Sequence, residues 1–391
     1  MKTRCAVLAV VLLCSCGDSD SGSAPATMTV HAGESIQSVI NAAPANTTIL
    51  VQPGVYHESP NAVNAIVISK DGIQIVGQSL PGHPVVLENA GGQMNGIVVA
   101  PTDSISIDPT EEHPGEHPAC GANSNLIHGF SLKGFSVRGF EQFGVYLACV
   151  DGFTLDQNFA DADLLYSLFP VRSHNGTLTN NEVQNTTKDA ALYVGQSDHI
   201  TITGNMAHDN LLGLEIENSS DITAKNNQVF NNTAGIIADI NAGLQKKDQV
   251  NVLITDNSIH DNNRPNSASQ GDSEGETPPG TGMVILGGSM VTVQNNTISN
   301  NGFAGIIVAS YCTGTSACSV PIDIDPNPTN ARILNNNLSN NGMTPPADPL
   351  EAALAADLVW DNTGTGNCWS GNTAEAIAKI LGGGRHLPAC L

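Results

Sequence analysis

Asp189, Glu215, Glu217 and Asp239 fall at or beside matching positions of three short apolar segments, AALYVG at 190–195, LGLEIE at 212–217 and AGIIAD at 234–239. Stacked carboxylates repel one another, so their alignment asks for a reason. Lys188 and Arg172 lie close by, two of only 14 lysines and arginines against 37 acids. Asp163, Tyr166, His174 and Tyr193 reach the same region. Aligning the segments puts Phe169, Tyr193, Glu215 and Ile237 in one outward column, and Val171, Gly195, Glu217 and Asp239 in the next. Elimination in a uronic-acid polymer needs a base for the C5 proton, a cation or metal to neutralise the carboxylate, and an acid for the leaving oxygen. Lys188 or Arg172 would neutralise; Tyr166, Tyr193 or His174 would exchange the proton, and Asp163 would touch substrate. Hydrolysis of a glycosidic bond instead needs a carboxylate pair, Glu215 with Asp189 or Asp239. Calcium on Glu217 and Asp239 would bridge a sugar acid. The plainer alternative is a solvated acidic face with tyrosines that only pack and histidines in hydrated turns.

These positions align because the chain repeats. TLTNNEV at 177–183, TITGNMA at 201–207, TAKNNQV at 223–229, LITDNSI at 253–259, TVQNNTI at 292–298 and RILNNNL at 332–338 share one pattern. The aligned asparagines are Asn158, Asn181, Asn205, Asn227, Asn257, Asn296, Asn336 and Asn372. Early steps are 22–24 residues, and later ones are longer. Period-two alternation predicts Leu192, Val194, Leu214 and Ile216 pointing inward, with Tyr193, Glu215 and Glu217 outward. Short strands with polar turns at this period fit one coil of a parallel β-helix, which buries its inner face only by stacking. Asparagine at a fixed corner tolerates left-handed backbone and can bond to the asparagine one rung above. The expected fold is all-β, a right-handed parallel β-helix over 28–390, with a helical cap at 35–43 and a second helix over 373–381. Insertions at 101–124, 263–280, 311–330 and 341–358 would leave from one face and wall a binding surface.

With a net charge of -23 among 391 residues, the chain repels phosphate backbones, which excludes nucleic-acid binding. Residues 1–15 read as a signal peptide, with Lys2 and Arg4 ahead of an apolar run. Leu13-Cys14-Ser15-Cys16 resembles a lipobox, making Cys16 the lipidated residue and 16–27 a flexible tether. This predicts a lipid-anchored protein of the cell envelope, at an outer membrane facing the periplasm or exterior. Six cysteines remain, an even number in an exported chain. Proximity pairs Cys120 with Cys149, Cys312 with Cys318, and Cys368 with Cys390. The chain is expected to be a monomer.

SIQSVINAAPANTTILVQPGVYHE at 35–58 is similar to the opening of pectate-lyase-like right-handed β-helix proteins. DADLLYSLFPVRSHNGTLTNNEV at 161–183 and KDAALYVGQSDHITITGNMAHDNLLGLEIENSSDITAKNN at 188–227 resemble a bacterial family of exported parallel β-helix repeat lipoproteins. The resemblance spans about residues 28–390 and implies a fold and a location rather than a reaction. Relatives acting on carbohydrate imply a polysaccharide substrate in a lateral groove. The Asp-Pro-His-Asp run of alginate epimerases is absent here. The lipoprotein family also implies a second exported protein, often similar to a c-type cytochrome fusion. This chain has no CxxCH of its own. The competing reading is therefore a non-enzymatic scaffold whose acidic face docks such a partner.

Overall fold

The computed structural model describes residues 26–60, 62–102, 120, 126–269, 273–314, 318, 321–374, 378–382 and 386–391. The expected signal peptide and Cys16 lie outside them. Among the described residues, strands from Ala26–Val30 to Lys379–Ile380 build three parallel sheets, of twelve, eleven and ten strands. Each coil gives one strand to each sheet in turn. In one coil, Ala190–Gly195 lies in the eleven-stranded sheet, Asp198–Thr203 in the twelve-stranded and Met206–His208 in the ten-stranded. The next coil begins at Leu212–Glu217, paired to Ala190–Gly195 with Leu192 opposite Leu214 and Tyr193 opposite Glu215. This is the expected parallel β-helix, in which each strand finds its hydrogen-bond partners one coil away.

Side chains alternate as the period-two pattern requires. Leu192, Val194, Leu214 and Ile216 join one continuous apolar core inside the coils. A second cluster lies outside the eleven-stranded sheet and contains Phe143, Tyr146, Tyr166, Phe169 and Tyr193. Tyr193 does leave the coil, but into this cluster rather than into solvent.

The corners carry three buried ladders. At the first, Asn181 Oδ1 accepts from both the backbone N–H and the Nδ2 of Asn158, each at 3.0 Å. Asn205, Asn227, Asn257, Asn296, Asn336 and Asn372 extend the pattern without a break. The left-handed residue is not the ladder asparagine but the one before it, such as Asn180 at φ 54° and Asn226 at φ 55°. The division is physical: one residue turns the chain while the next turns its amide inward. A second ladder of Asn210, Asn232, Asn262, Asn301 and Asn341 ends on Asp357. The third uses serine: Ser173 Oγ accepts from Val150 N and Ser197 Oγ from Ser173 N.

The N-terminal cap is the helix Ile36–Ala42, where Ser35 accepts from Ser38 N and Glu58 from Ile36 N. At the other end the expected helix over 373–381 is not found where it is described. Lys379–Ile380 instead pairs in parallel with Ala356–Trp360. The open edge of the last coil offers unpaired backbone groups, and they capture the segment as a strand. Residues 375–377 lie outside the described residues. The disulfides are Cys120–Cys149, Cys312–Cys318 and Cys368–Cys390, as the spacing predicts.

The ladder makes a direct prediction. Asn227→Ala removes the acceptor for two buried donors of Asn205. Unsatisfied buried donors cost about 1–3 kcal/mol each. Urea unfolding should therefore show a loss of at least about 2 kcal/mol. A change below about 0.5 kcal/mol would mean the ladder is not a stability determinant.

Candidate active site

The site grows from one sheet and three insertions. Register along the eleven-stranded sheet places Glu215, Ile237, Val284 and Ile307 in one column, with Val359 next. Glu217, Asp239, Leu286 and Ala309 form the adjacent column. All of these but Glu217 line a cleft of about 310 Å³. Glu274, Glu276, Thr277 and Pro278 wall it from the first late insertion, Tyr311 and Thr313 from the second, and Glu351 and Leu354 from the third. The extra length in the late coils thus converges on one surface.

Six lining side chains are carboxyls: Glu215, Asp239, Glu274, Glu276, Glu351 and Asp361. Among the described lining residues, none is lysine, arginine or histidine. Much of the remainder is apolar, including Leu212, Ile237, Val284 and Phe303. Glu215 stands apart at the floor. It is only 7% exposed, and its Oε2 has no hydrogen-bond partner among the described residues. Burial first, then Asp189, Asp239, Glu217 and Glu274, push its carboxyl well above the ordinary glutamate range. Both causes oppose ionisation of Glu215. Asp239 lies on the neighbouring coil, two residues along from the position opposite Glu215. Strand spacing and rise put their Cα atoms roughly 8 Å apart. Asn241 lines the cleft as well and bridges the pair of acids beside Glu215. Its Nδ2 donates to Asp239 Oδ2 at 3.0 Å and to Glu217 Oε1. Glu217 also accepts from the Tyr193 hydroxyl.

The structure brings together part of the sequence-derived patch. Glu215 and Asp239 line the cleft, with Glu217 and Asp189 buried and electrostatically coupled to Glu215. Lys188 is exposed on the preceding turn and lies outside the lining. Arg172 sits beside Tyr146, in the earlier coils. His174 starts a strand of another sheet and bonds Asp198 through Nδ1 at 2.8 Å. Tyr166 and Tyr193 stack at 4.4 Å between ring centroids inside the buried aromatic cluster, so neither ring offers a free face. Asp163 is fully buried and accepts from Phe140 N at 3.0 Å, a corner contact like those of the second ladder. The columns were aligned correctly, but aromatic rings fill their N-terminal half, and the cleft opens toward the C-terminal coils.

Tyr311, Glu274, Glu276, Glu351 and Asp361 are the lining residues that the repeat alignment passed over. Four of the five sit in the insertions, which follow no repeat phase, and Asp361 comes just after the last of them. The signal available was the insertions themselves. Among the described residues, no group of three or more His, Cys, Asp or Glu side chains is placed to hold a metal ion. Asp323, in the second insertion, accepts from Gly243 N at 3.0 Å and pairs with Lys247, as a tied-down loop does.

Comparison with known proteins agrees with the architecture. The A-module of the mannuronan C-5 epimerase AlgE4 from Azotobacter vinelandii matches with a TM-score of 0.59 at 16% identity, over 91% of this chain and 95% of that one. DFA-IIIase from Arthrobacter chlorophenolicus A6, solved without its lid and in complex with GF2, matches with a TM-score of 0.53 at 13% identity, over 88% of this chain and 87% of that one. At such identity the likeness is one of fold. No curated protein matches by sequence. The family described as right handed beta helix region matches residues 120–320 and 242–378, which together exceed half of the chain. The chain belongs to the right handed beta helix region family.

Proposed function

We propose that this chain is an envelope protein, tethered through Cys16, that binds a glycan without acidic groups in the acid-lined cleft and hydrolyses it. The observation that carries the reading is Glu215, a buried carboxyl whose surroundings oppose its ionisation, at the floor of a cleft beside a second carboxyl. Glycoside hydrolysis uses such a pair. Glu215 gives its proton to the glycosidic oxygen as the bond to the anomeric carbon breaks. Asp239 takes a proton from water, whose oxygen forms the new bond to that carbon.

Elimination on a uronate polymer has weaker support. It needs a cation at the sugar carboxylate, and the described lining has none. The six lining acids would repel such a polymer before it docked. A focused cleft also suits a small ligand better than the broad shallow face expected of a docking scaffold.

Two measurements test the reading. Incubation with a panel of neutral and basic polysaccharides should release reducing ends, without the absorbance of unsaturated uronates. Glu215→Gln and Asp239→Asn should each lower the rate at least about 100-fold, as loss of acid–base catalysis does. Lys188→Ala should leave it within about twofold, a change under 0.5 kcal/mol in barrier. A rate that depends on Lys188 but not on Glu215 would instead indicate elimination.

The protonation state can be read from stability. A carboxyl whose pKa is raised by folding makes the folded chain bind more protons than the unfolded chain. Stability then falls as pH rises above the ordinary glutamate value of 4.5. Glu215→Gln removes this contribution. Its Tm should exceed that of the parent at pH 8 and converge with it at pH 4. An identical difference at both pH values would show that Glu215 ionises normally.

A further inference from the structure

We infer that the cleft recognises a glycan bearing free amino groups, the protonated amine of a 2-amino sugar standing against Glu215. This deepens the hydrolase reading and rests on it. Three observations lead here. Glu215 lines the cleft, and its buried Oε2 has no hydrogen-bond partner among the described residues, which leaves an acceptor that a ligand donor would satisfy. A buried acceptor left open in this way is costly, and a ligand that fills it gains the corresponding energy.

The second observation is charge. The groups that act on Glu215 come from every packed element: Asp189 from the preceding coil, Glu217 from its own strand, Asp239 from the following coil and Glu274 from the first late insertion. All four are carboxyls. A sugar hydroxyl could donate to Oε2 but would leave this field uncompensated. An ammonium group donates and compensates together. The third is the wall. Leu212, Ile237, Val284 and Phe303 give the cleft an apolar surface suited to the C–H face of a pyranose ring. They also exclude water, which strengthens attraction between ammonium and carboxyl. A small, strongly hydrated metal ion would gain nothing from such walls, and no metal-holding group is found among the described residues.

The raised pKa of Glu215 adds a signature. An amine entering the cleft favours the ionised carboxyl, so binding should release a proton from Glu215 to solvent. The same ligand must leave a proton on Glu215 for the hydrolytic step. Hydrolysis therefore proceeds only from the fraction of complexes in which Glu215 keeps its proton.

Calorimetry on the full-length protein tests the inference with three probes: a β-1,4-linked glucosamine tetramer, its fully N-acetylated counterpart and oligolysine. The glucosamine tetramer should bind at least tenfold tighter than the N-acetylated form. Its apparent enthalpy should change with the ionisation enthalpy of the buffer, reporting proton release. Glu215→Gln should weaken the glucosamine tetramer at least tenfold and abolish that buffer dependence. Glu274→Gln, on an insertion outside the coil ladders, should weaken it severalfold and so provides a second variant that leaves the coils intact. Equal binding of the two tetramers would overturn the inference while sparing the glycan reading. Tight binding of oligolysine without the tetramer would overturn both in favour of a basic peptide partner. Binding of none of the three would also overturn both.

Discussion

The structure depends on one requirement, that the backbone N–H groups at the buried corners of each coil find acceptors. In a sheet the neighbouring strand supplies them. At a corner the strands end, and water is excluded. The asparagine ladder answers this directly, because one amide oxygen accepts from both the N–H and the side chain of the coil before it. Its own Nδ2 then reaches a carbonyl of that preceding coil's strand, as Asn205 does to Leu178 at 2.9 Å. Each asparagine therefore serves donors and acceptors in adjacent turns, and a corner becomes as well bonded as a strand. The ladder also sets the register that aligns outward columns from coil to coil.

That register is what allows like charges to gather. Asp189, Glu215, Glu217 and Asp239 are held together by backbone pairing that does not depend on them. The repulsion among them is expressed in ionisation rather than in a displaced loop. Part of it is answered locally: Tyr193 and Asn241 both donate to Glu217, and Asn241 to Asp239. Glu215 receives no such donor at Oε2. A stiff solenoid can thus keep one carboxyl in an unfavourable environment, where a flexible loop would turn it toward water. Pre-organisation of this kind is what acid catalysis requires.

How much of this was legible in the sequence follows from which residues obey the repeat. The ladder asparagines, the inward leucines and valines and the two outward columns repeat with the coil, so counting finds them. The three disulfides followed from proximity. Three features were not legible. The left-handed role belongs to the residue before each ladder asparagine, and Asn–Asn pairs such as Asn180-Asn181 hide which does which. The outward tyrosines looked accessible, but Phe143 of the preceding coil packs on Tyr166, and Phe169 packs on both Tyr166 and Tyr193. The terminal segment has helical composition, yet Lys379 and Ile380 pair with a waiting edge. In each case the missing information was which group in another coil stands opposite, and the walls of the cleft add to this because insertions have no phase to count.

The first ladder also has a direction. Every asparagine oxygen accepts from the coil before it, from Asn158 through to Asn372. No coil can complete its own corner; each waits for the one synthesised after it. A chain emerging N-terminus first therefore carries, at every moment, one unfinished rung at its growing end and finished rungs behind it. Each turn thus closes the corner of the turn before it and depends on the turn after it to close its own.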